Sequence, residues 1–268
     1  MYIYIIMKNY PSLIICLIIL IIPQIIYKRK YINKNIKDTF KDYSYLFYDK
    51  VGLEIGGPST YIMDTGVYTK PKSLDNANYS TDTLWSQHID NTDYMFDGKT
   101  VPGKTFIADS VDLKIFQNKT YDFVVACHVL EHLVNPLKAL KEITRIIKDD
   151  GILFLILPYK EATFDHKRSI SNFSKLLNNY NKNRNEIDVD DYLSEIFELH
   201  DLSMDPPAGS LDNFKERSKK NHENRGLHVH VFDFDLIIKC LSYFNYEIIE
   251  KVLVSPFHQV VIGKNGKH

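Results

Sequence analysis

Cysteine is scarce in this chain of 268 residues, and the three cysteines, Cys16, Cys127 and Cys240, lie far apart. This spacing excludes a disulfide framework and a CxxC metal site, and it fits a reducing compartment. An excess of charge of either sign is also lacking, because 33 basic and 34 acidic residues leave a net charge of −1. No overall field therefore recruits nucleic acid, and no basic stretch is interleaved with aromatic residues. We expect no nucleic-acid partner.

An apolar run near the N-terminus extends from Leu13 to Tyr27 and is followed directly by Lys28, Arg29 and Lys30. The run is shorter than the ~20 residues that usually span a bilayer, and Pro23 interrupts it. It lacks the small residues of a signal-peptide cleavage site. We predict a single-pass membrane anchor over residues 1–30, with an interfacial helix as the alternative. The basic cluster then places the remaining domain, residues 31–268, in the cytosol.

Residues 121–158 have the pattern of a parallel βαβ unit. Tyr121–Cys127 and Gly151–Pro158 are apolar enough for strands that are covered on both faces. Between them, Asn135 can cap a helix whose first position is Pro136, and Gly151 can end it. The apolar face of this helix recurs at helical spacing and comprises Leu137, Leu140, Ile143, Ile146 and Ile147.

The rest of the chain extends this unit into a doubly wound, Rossmann-like α/β domain with a mostly parallel sheet. A polar lid over residues 159–230 interrupts the domain, and an antiparallel edge strand is predicted near residues 258–263. The other predicted strands are 51–56, 73–79, 105–108 and 246–254, and the other predicted helices are 28–50, 169–180, 188–200 and 233–244.

A glycine turn follows the first predicted strand, in the sequence Glu54-Ile55-Gly56-Gly57. A strand-end carboxylate beside such a turn is how open α/β folds hold a ribose and bring backbone close to a nucleoside. Asp75 follows Glu54 by about 20 positions, the distance expected for a ribose-binding carboxylate. The alternative is an ordinary strand-to-helix turn, which also commonly contains glycine.

The segment from His128 to His132 matches H-x-x-E-H, an inverted zinc-protease motif. Zinc binding by that motif requires a helix that puts both histidines on one face. Here His128 directly follows a strand, and the predicted helix begins only at Asn135. We therefore expect no metal at this motif, His128 in the cofactor cleft, and His132 as a packing residue.

Several short segments of the chain resemble those of one branch of the class I S-adenosylmethionine-dependent methyltransferases. They include LEIGGPS, HVLEH, NPLKAL, TFDHKR and HDLSMDP. Related enzymes are found among glycosyltransferases. The resemblance implies S-adenosyl-L-methionine as cofactor, with Asp109 accepting from the adenine amino group and the Ser110 N–H approaching the ring. Pro58 departs from the usual glycine pattern of the turn. The expected cofactor-binding residues are Glu54, Gly56, Gly57, Asp75, Asp109, Ser110 and His128.

The predicted function is methylation of a hydroxyl on a glycan or a small acceptor. A base must remove the hydroxyl proton, and His228 or His230 is favoured because they alternate on a predicted short strand, with His128 as the next candidate. The remaining ionisable residues of the lid are expected to bind the acceptor: Asp165, His166, Arg168, His200 and Asp201. The alternative is a membrane-anchored, non-catalytic binding or scaffold protein that retains the fold.

Overall fold

The computed structural model describes residues 36–83, 93–94 and 102–266. The chain divides into two compact units, residues 1–37 and 38–268. Of the first unit only Ile36–Lys37 is described, as a two-residue strand. The predicted anchor over residues 1–30 lies outside the described residues. Among the helices that are described, none is both long and apolar enough to cross a membrane.

The second unit is built on a twisted sheet whose strands, numbered along the chain, follow the order β3-β2-β1-β4-β5-β7-β6. Their bounds are β1 Val51–Ile55, β2 Ser73–Asn78, β3 Thr105–Ile107, β4 Tyr121–Cys127, β5 Ile147–Pro158, β6 Tyr246–Val254 and β7 His258–Asn265. Strands β1 to β5 are parallel, and β7 runs antiparallel to both β5 and β6. The mostly parallel sheet with an antiparallel edge is confirmed. However, the strand predicted at the edge, β7, lies between β5 and β6.

Both faces of this sheet are buried, and β4 shows how its sequence achieves this. Phe123 and Val125 pack into one apolar cluster, whereas Val124 and Ala126 pack into another. Side chains alternate along a strand, so a continuous apolar run fills the core on both sides. The order of the strands reverses between β1 and β4, and this reversal creates a crevice at their carboxyl ends.

The α-helices among the described residues are α1 Ser44–Phe47, α2 Pro136–Ile146, α3 Phe173–Asn181, α4 Asp190–Leu199, α5 Leu211–Lys219, α6 Asn221–Asn224 and α7 Phe234–Tyr243. The predicted capping of α2 is confirmed, since the Asn135 side chain accepts from the Lys138 N–H at 3.2 Å. The helix predicted over 28–50 is wrong for most of its described part, because only α1 is helical. There Tyr43 and Phe47 pack against the Phe154 ring of the sheet.

Helix α2 ends earlier than predicted, and the reason lies in β5. Ile147 already pairs with Tyr121 of β4, and the register shifts before Ile152 pairs with Phe123. Gly151 lies in this irregular stretch, where a Cβ would be 2.9 Å from the Asp122 carbonyl oxygen. Gly151 therefore permits a close backbone approach within the strand and does not cap the helix.

The lid has an apolar core of its own, formed by side chains that include Tyr192, Ile196, Phe214 and Val229. Helices α3 and α4 lie near their predicted positions, whereas α5 was not predicted. Its signal was weak because Phe214 is its one fully buried apolar residue. The Ser210 side chain nevertheless caps it by accepting from the Asn213 N–H at 3.2 Å.

Candidate active site

A cavity of about 410 Å³ opens at the carboxyl ends of β1 to β4, where the strand order reverses. This position and size suit a nucleoside-sized ligand. Five of the residues predicted to bind the cofactor line it: Gly56, Gly57, Asp109, Ser110 and His128. Two others, Glu54 and Asp75, do not line it.

Glu54 lies beneath the glycine turn and is fully buried. Its carboxylate accepts hydrogen bonds from the hydroxyls of Tyr68, at 2.7 Å, and Tyr94, at 2.5 Å. Burial raises the pKa of Glu54 to about 7, although these hydrogen bonds oppose the rise. Gly57 has φ +72°, and a Cβ there would be 2.3 Å from Glu54 Oε1. The predicted direct contact of Glu54 with the cofactor is therefore corrected to a supporting role under the turn.

Asp75 lies in the middle of β2, and its carboxylate is already bonded there. It accepts from the Lys104 N–H at 2.9 Å and from the Tyr121 hydroxyl at 3.0 Å. The strand ends instead at Asn78, which lines the cavity and is 2% exposed. Among the described residues, Asn78 Oδ1 has no hydrogen-bond partner. The end of the predicted strand therefore indicated the polar residue at the cavity better than the sequence distance from Glu54 did.

Asp109 and Ser110 follow β3, and a lid residue that the sequence analysis missed closes over them. The Arg225 guanidinium forms ion pairs with both Asp109 and Glu186. It also lies 5.3 Å from the centre of the Tyr79 ring, which lines the same cavity. Arg225 has φ +50° in a turn and carries no sequence motif, so only the folded lid reveals its position.

His128 lines the cavity directly after β4, with φ +54°. Its Nε2 lies 3.1 Å from Nδ1 of His258 on β7, and the Tyr61 ring contacts both imidazoles. Burial, with a contribution from His258, lowers the pKa of His128 to about 3, so this imidazole is neutral. The H-x-x-E-H motif therefore does not assemble as in a zinc protease, since Leu130–His132 is only a short 3₁₀ turn.

Glu131 and His132 instead meet His228 of the lid. His132 lines the cavity, and its Nε2 lies 3.8 Å from Glu131 Oε1. The rings of His132 and His228 pack edge to face with their centres 4.7 Å apart. Glu131 is 1% exposed, and neither carboxylate oxygen has a hydrogen-bond partner among the described residues. Burial raises the pKa of Glu131 to about 7.

Asp165 and Arg168, which the sequence analysis assigned to acceptor binding, hold His228 in place. Asp165 Oδ2 lies 2.6 Å from His228 Nδ1, and Arg168 donates to the other carboxylate oxygen at 2.8 Å. Arg168 also donates to the His228 carbonyl oxygen at 2.7 Å. Burial acts to raise the pKa of Asp165, but His228 and Arg168 together lower it to about 2. Asp165 is therefore an ionised carboxylate that orients the His228 imidazole. Neither Asp165 nor Arg168 lines the cavity.

The other predicted lid residues stabilise the lid. His166 and His200 pair with Asp201 and Asp205, at 2.9 Å and 3.1 Å, and neither they nor Asp201 line the cavity. His230 is 1% exposed, with its ring nitrogens 3.3 Å from the Ser171 hydroxyl and the Val134 carbonyl oxygen. The predicted short strand through His228 and His230 is absent, and the prediction of His230 as the base is corrected to a structural role.

Comparison with known proteins identifies a family. A family model described as "Methyltransferase domain" matches residues 39–250. Over 47 residues the chain is 47% identical to an uncharacterised protein of Methanocaldococcus jannaschii, a match that covers 18% of this chain and 20% of that protein. Among solved structures, it is similar to a SAM-dependent methyltransferase from Aquifex aeolicus, with 12% identity, a TM-score of 0.45, and coverage of 82% and 84% of the two chains. It is also similar to the CurJ carbon methyltransferase, with 10% identity and a TM-score of 0.42. That match covers 82% of this chain and 49% of the CurJ chain.

Proposed function

Because the chain belongs to the class I S-adenosyl-L-methionine-dependent methyltransferases, we propose that it methylates a hydroxyl of a glycan or another small hydroxylated acceptor. Its cofactor is S-adenosyl-L-methionine. The observation that carries the proposed acceptor chemistry is the group of Glu131, His132 and His228, of which His132 lines the cavity and the other two lie behind it. These residues are called the basic cluster below.

The cavity residues fit this cofactor. Gly56 and Gly57 have positive φ and no side chains, so a ligand can approach the backbone of the turn closely. Asn78 Oδ1 offers a buried acceptor without a partner among the described residues, which suits a ribose hydroxyl. We assign the adenine to Asp109 and Ser110 at the end of β3. When bound, the cofactor supplies a methyl group on a positively charged sulfur, and the leaving group is therefore neutral.

An aliphatic hydroxyl is a weak nucleophile until its proton is removed, and the basic cluster supplies groups that can accept that proton. His132 reaches the cavity directly, and Asp165 fixes the orientation of His228 behind it. Because the leaving group needs no acid, positioning of the acceptor oxygen and removal of its proton are what the protein must provide. A base at this position is expected to contribute about 10²-fold or more to the rate.

The aromatic lining beside His128 supports a sugar-like acceptor. Tyr61 lines the cavity, is 56% exposed, and contacts the His258 ring with the ring centres 4.7 Å apart. The neighbouring Phe257 is also exposed. Exposed aromatic rings provide apolar faces on which a sugar ring can stack, while hydroxyls remain free to reach the histidines.

The test is methyl transfer from labelled S-adenosyl-L-methionine to a panel of sugars, sugar nucleotides, amines and thiols, with the methylated atom identified by NMR. We expect an O-methyl product. We expect His228→Asn to reduce turnover strongly while leaving cofactor affinity nearly unchanged, because His228 does not line the cavity. His222→Asn, at an exposed histidine outside the cavity, is the matched control. A methyl group found only on nitrogen, carbon or sulfur would overturn the assignment of a hydroxyl acceptor.

The predicted attachment to a membrane remains a separate proposal. Its support is the apolar run Leu13–Tyr27 followed directly by Lys28, Arg29 and Lys30, which favours a cytosolic catalytic domain. Protease digestion of sealed membranes tests this orientation. We expect the domain to be digested from the cytosolic side only, and a domain that is released by salt alone would contradict the anchor.

A further inference from the structure

Glu131, His132 and His228 are the one group of three or more potential metal ligands found among the described residues. Each residue offers one ligand atom, and these atoms all lie within 4.8 Å of one another. The three side chains come from two distant parts of the chain, the 3₁₀ turn after β4 and the lid segment before α7. We propose that the basic cluster binds a first-row divalent metal ion of the zinc type.

The hydrogen bonds around the two histidines support this proposal. His132 Nδ1 lies 3.2 Å from the Leu227 carbonyl oxygen, and His228 Nδ1 lies 2.6 Å from the Asp165 carboxylate. Both partners only accept, so each Nδ1 must carry the proton. In the neutral imidazoles each Nε2 then has a free lone pair, which is how histidine ligands of metals are usually held, with the other ring nitrogen donating to a carbonyl or carboxylate.

The second line of support is Glu131. Its side chain is 1% exposed, yet neither oxygen has a hydrogen-bond partner among the described residues. Burying a carboxylate without partners is costly, and buried charges in native proteins are paired or coordinate metals. The His132 Nε2 lies 3.8 Å from Glu131 Oε1, and it has no proton to donate when Nδ1 alone carries it. A cation between these atoms would satisfy the carboxylate.

The donor set indicates the class of metal. Two imidazoles and one carboxylate form the ligand set of several catalytic zinc sites, which leave a further position open, and they suit other first-row divalent ions. Mg²⁺ and Ca²⁺ prefer sites made of oxygen atoms. Because His132 lines the cavity, an open position there would face the acceptor. With the ion bound, the three side chains are ligands and no longer accept the hydroxyl proton themselves; the cation would instead lower the pKa of a hydroxyl bound next to it, so that the proton is lost to solvent.

This inference revises the expectation that the chain binds no metal, and the ligand set differs from that of H-x-x-E-H. His128 belongs to the motif but pairs with His258, whereas His228 lies outside the motif. The role in activating a hydroxyl rests on the proposed function, but metal binding itself does not depend on the identity of the acceptor.

The experiment is a titration of the full chain, freed of metal by chelator, with Zn²⁺ in the presence of a competing chromophoric chelator. We expect one Zn²⁺ per chain. Glu131→Gln, which keeps the shape but removes the charge, should weaken binding by more than 100-fold. Asp165→Asn should weaken it by about 10- to 100-fold, the usual effect of losing a partner of a metal-bound histidine. His128→Asn should leave the affinity unchanged.

X-ray absorption of the zinc-loaded wild-type chain makes the test independent of how the variants fold. We expect nitrogen and oxygen neighbours at about 2.0–2.2 Å and no sulfur at 2.3 Å. Cofactor titration of each variant checks that its cavity is intact. Absence of saturable Zn²⁺ binding, unchanged affinity in Glu131→Gln, or equal loss in His128→Asn would each overturn the proposal. If zinc binds but the methylated atom is nitrogen, the metal site stands and the hydroxyl acceptor does not.

Discussion

Replacing Gly57 by alanine is expected to damage both the stability of the domain and its affinity for the cofactor. Gly57 has φ +72°, a conformation that costs an L-residue about 1–2 kcal/mol. In addition, the new Cβ would be 2.3 Å from Glu54 Oε1, so the carboxylate must move. Movement breaks at least one hydrogen bond from Tyr68 or Tyr94, and a bond to a charged group contributes about 1.5–3 kcal/mol. The total loss of stability should therefore be about 2.5–5 kcal/mol.

Gly209→Ala is the control for a glycine with positive φ away from the cavity. Gly209 has φ +71° and ψ −137°, and it lies on the lid surface, where the nearest atom to a new Cβ is the flexible Asn213 amide at 3.2 Å. Because this conformation is nearly restricted to glycine, Gly209→Ala should also lose stability in denaturant unfolding. Calorimetry should show that only Gly57→Ala weakens binding of S-adenosyl-L-methionine, by about tenfold or more, a change of about 1.4 kcal/mol. Equal cofactor affinity in both variants would refute the role assigned to the Glu54 contact.

Three further predictions concern other buried polar groups. Asn78→Ala should weaken binding of S-adenosyl-L-methionine about tenfold by calorimetry, because it removes a buried acceptor, and unchanged affinity would contradict the assignment of the ribose. Arg225→Leu should destabilise the chain by about 1.5–3 kcal/mol, because Glu186 loses its charged partner and keeps only the hydrogen bonds from the Val134 and Asn135 N–H groups; adding Glu186→Gln should restore part of that loss in denaturant unfolding. Burial lowers the pKa of His230 from 6.5 to about 3, so the unfolded chain binds more protons between these pH values and stability falls as the pH drops through that range. His230→Asn should reduce this slope by about 1.4 kcal/mol per pH unit, measured by denaturant unfolding across that range.

Short-range patterns predicted much of the fold. Strands β4 and β6 have their predicted bounds, and helix α2 begins at the predicted cap, because apolar runs, apolar periodicity and capping depend on neighbours along the chain. The glycine turn and Asp109 were also correctly placed at the cavity, since the carboxyl ends of parallel strands meet at one edge.

Short-range sequence patterns did not predict contacts between residues that are far apart in the chain. Asp75 lies at the expected sequence distance from Glu54. However, it is in the middle of β2, where its carboxylate accepts hydrogen bonds from the Lys104 N–H and the Tyr121 hydroxyl. Several histidines of the lid look alike in sequence, but His230 is enclosed by Ser171 and Val134, whereas His228 faces Asp165. Only the folding of the lid over the sheet separates these two roles.

The sequence by itself determined that the chain forms an α/β domain with a glycine turn at the end of β1, because those features depend on local periodicity and turn chemistry. The resemblance of several segments to known enzymes indicated the methyltransferase family. Tertiary structure alone decided which polar groups meet at the cavity. It buries Glu131 without a partner among the described residues, brings His132 to His228, and fastens Arg225 to Asp109. The physical reason is that the burial and pairing of a charged group depend on residues that are distant in the sequence. Arg225 and Asp109, for example, are 116 positions apart, and no local sequence pattern predicts such a contact.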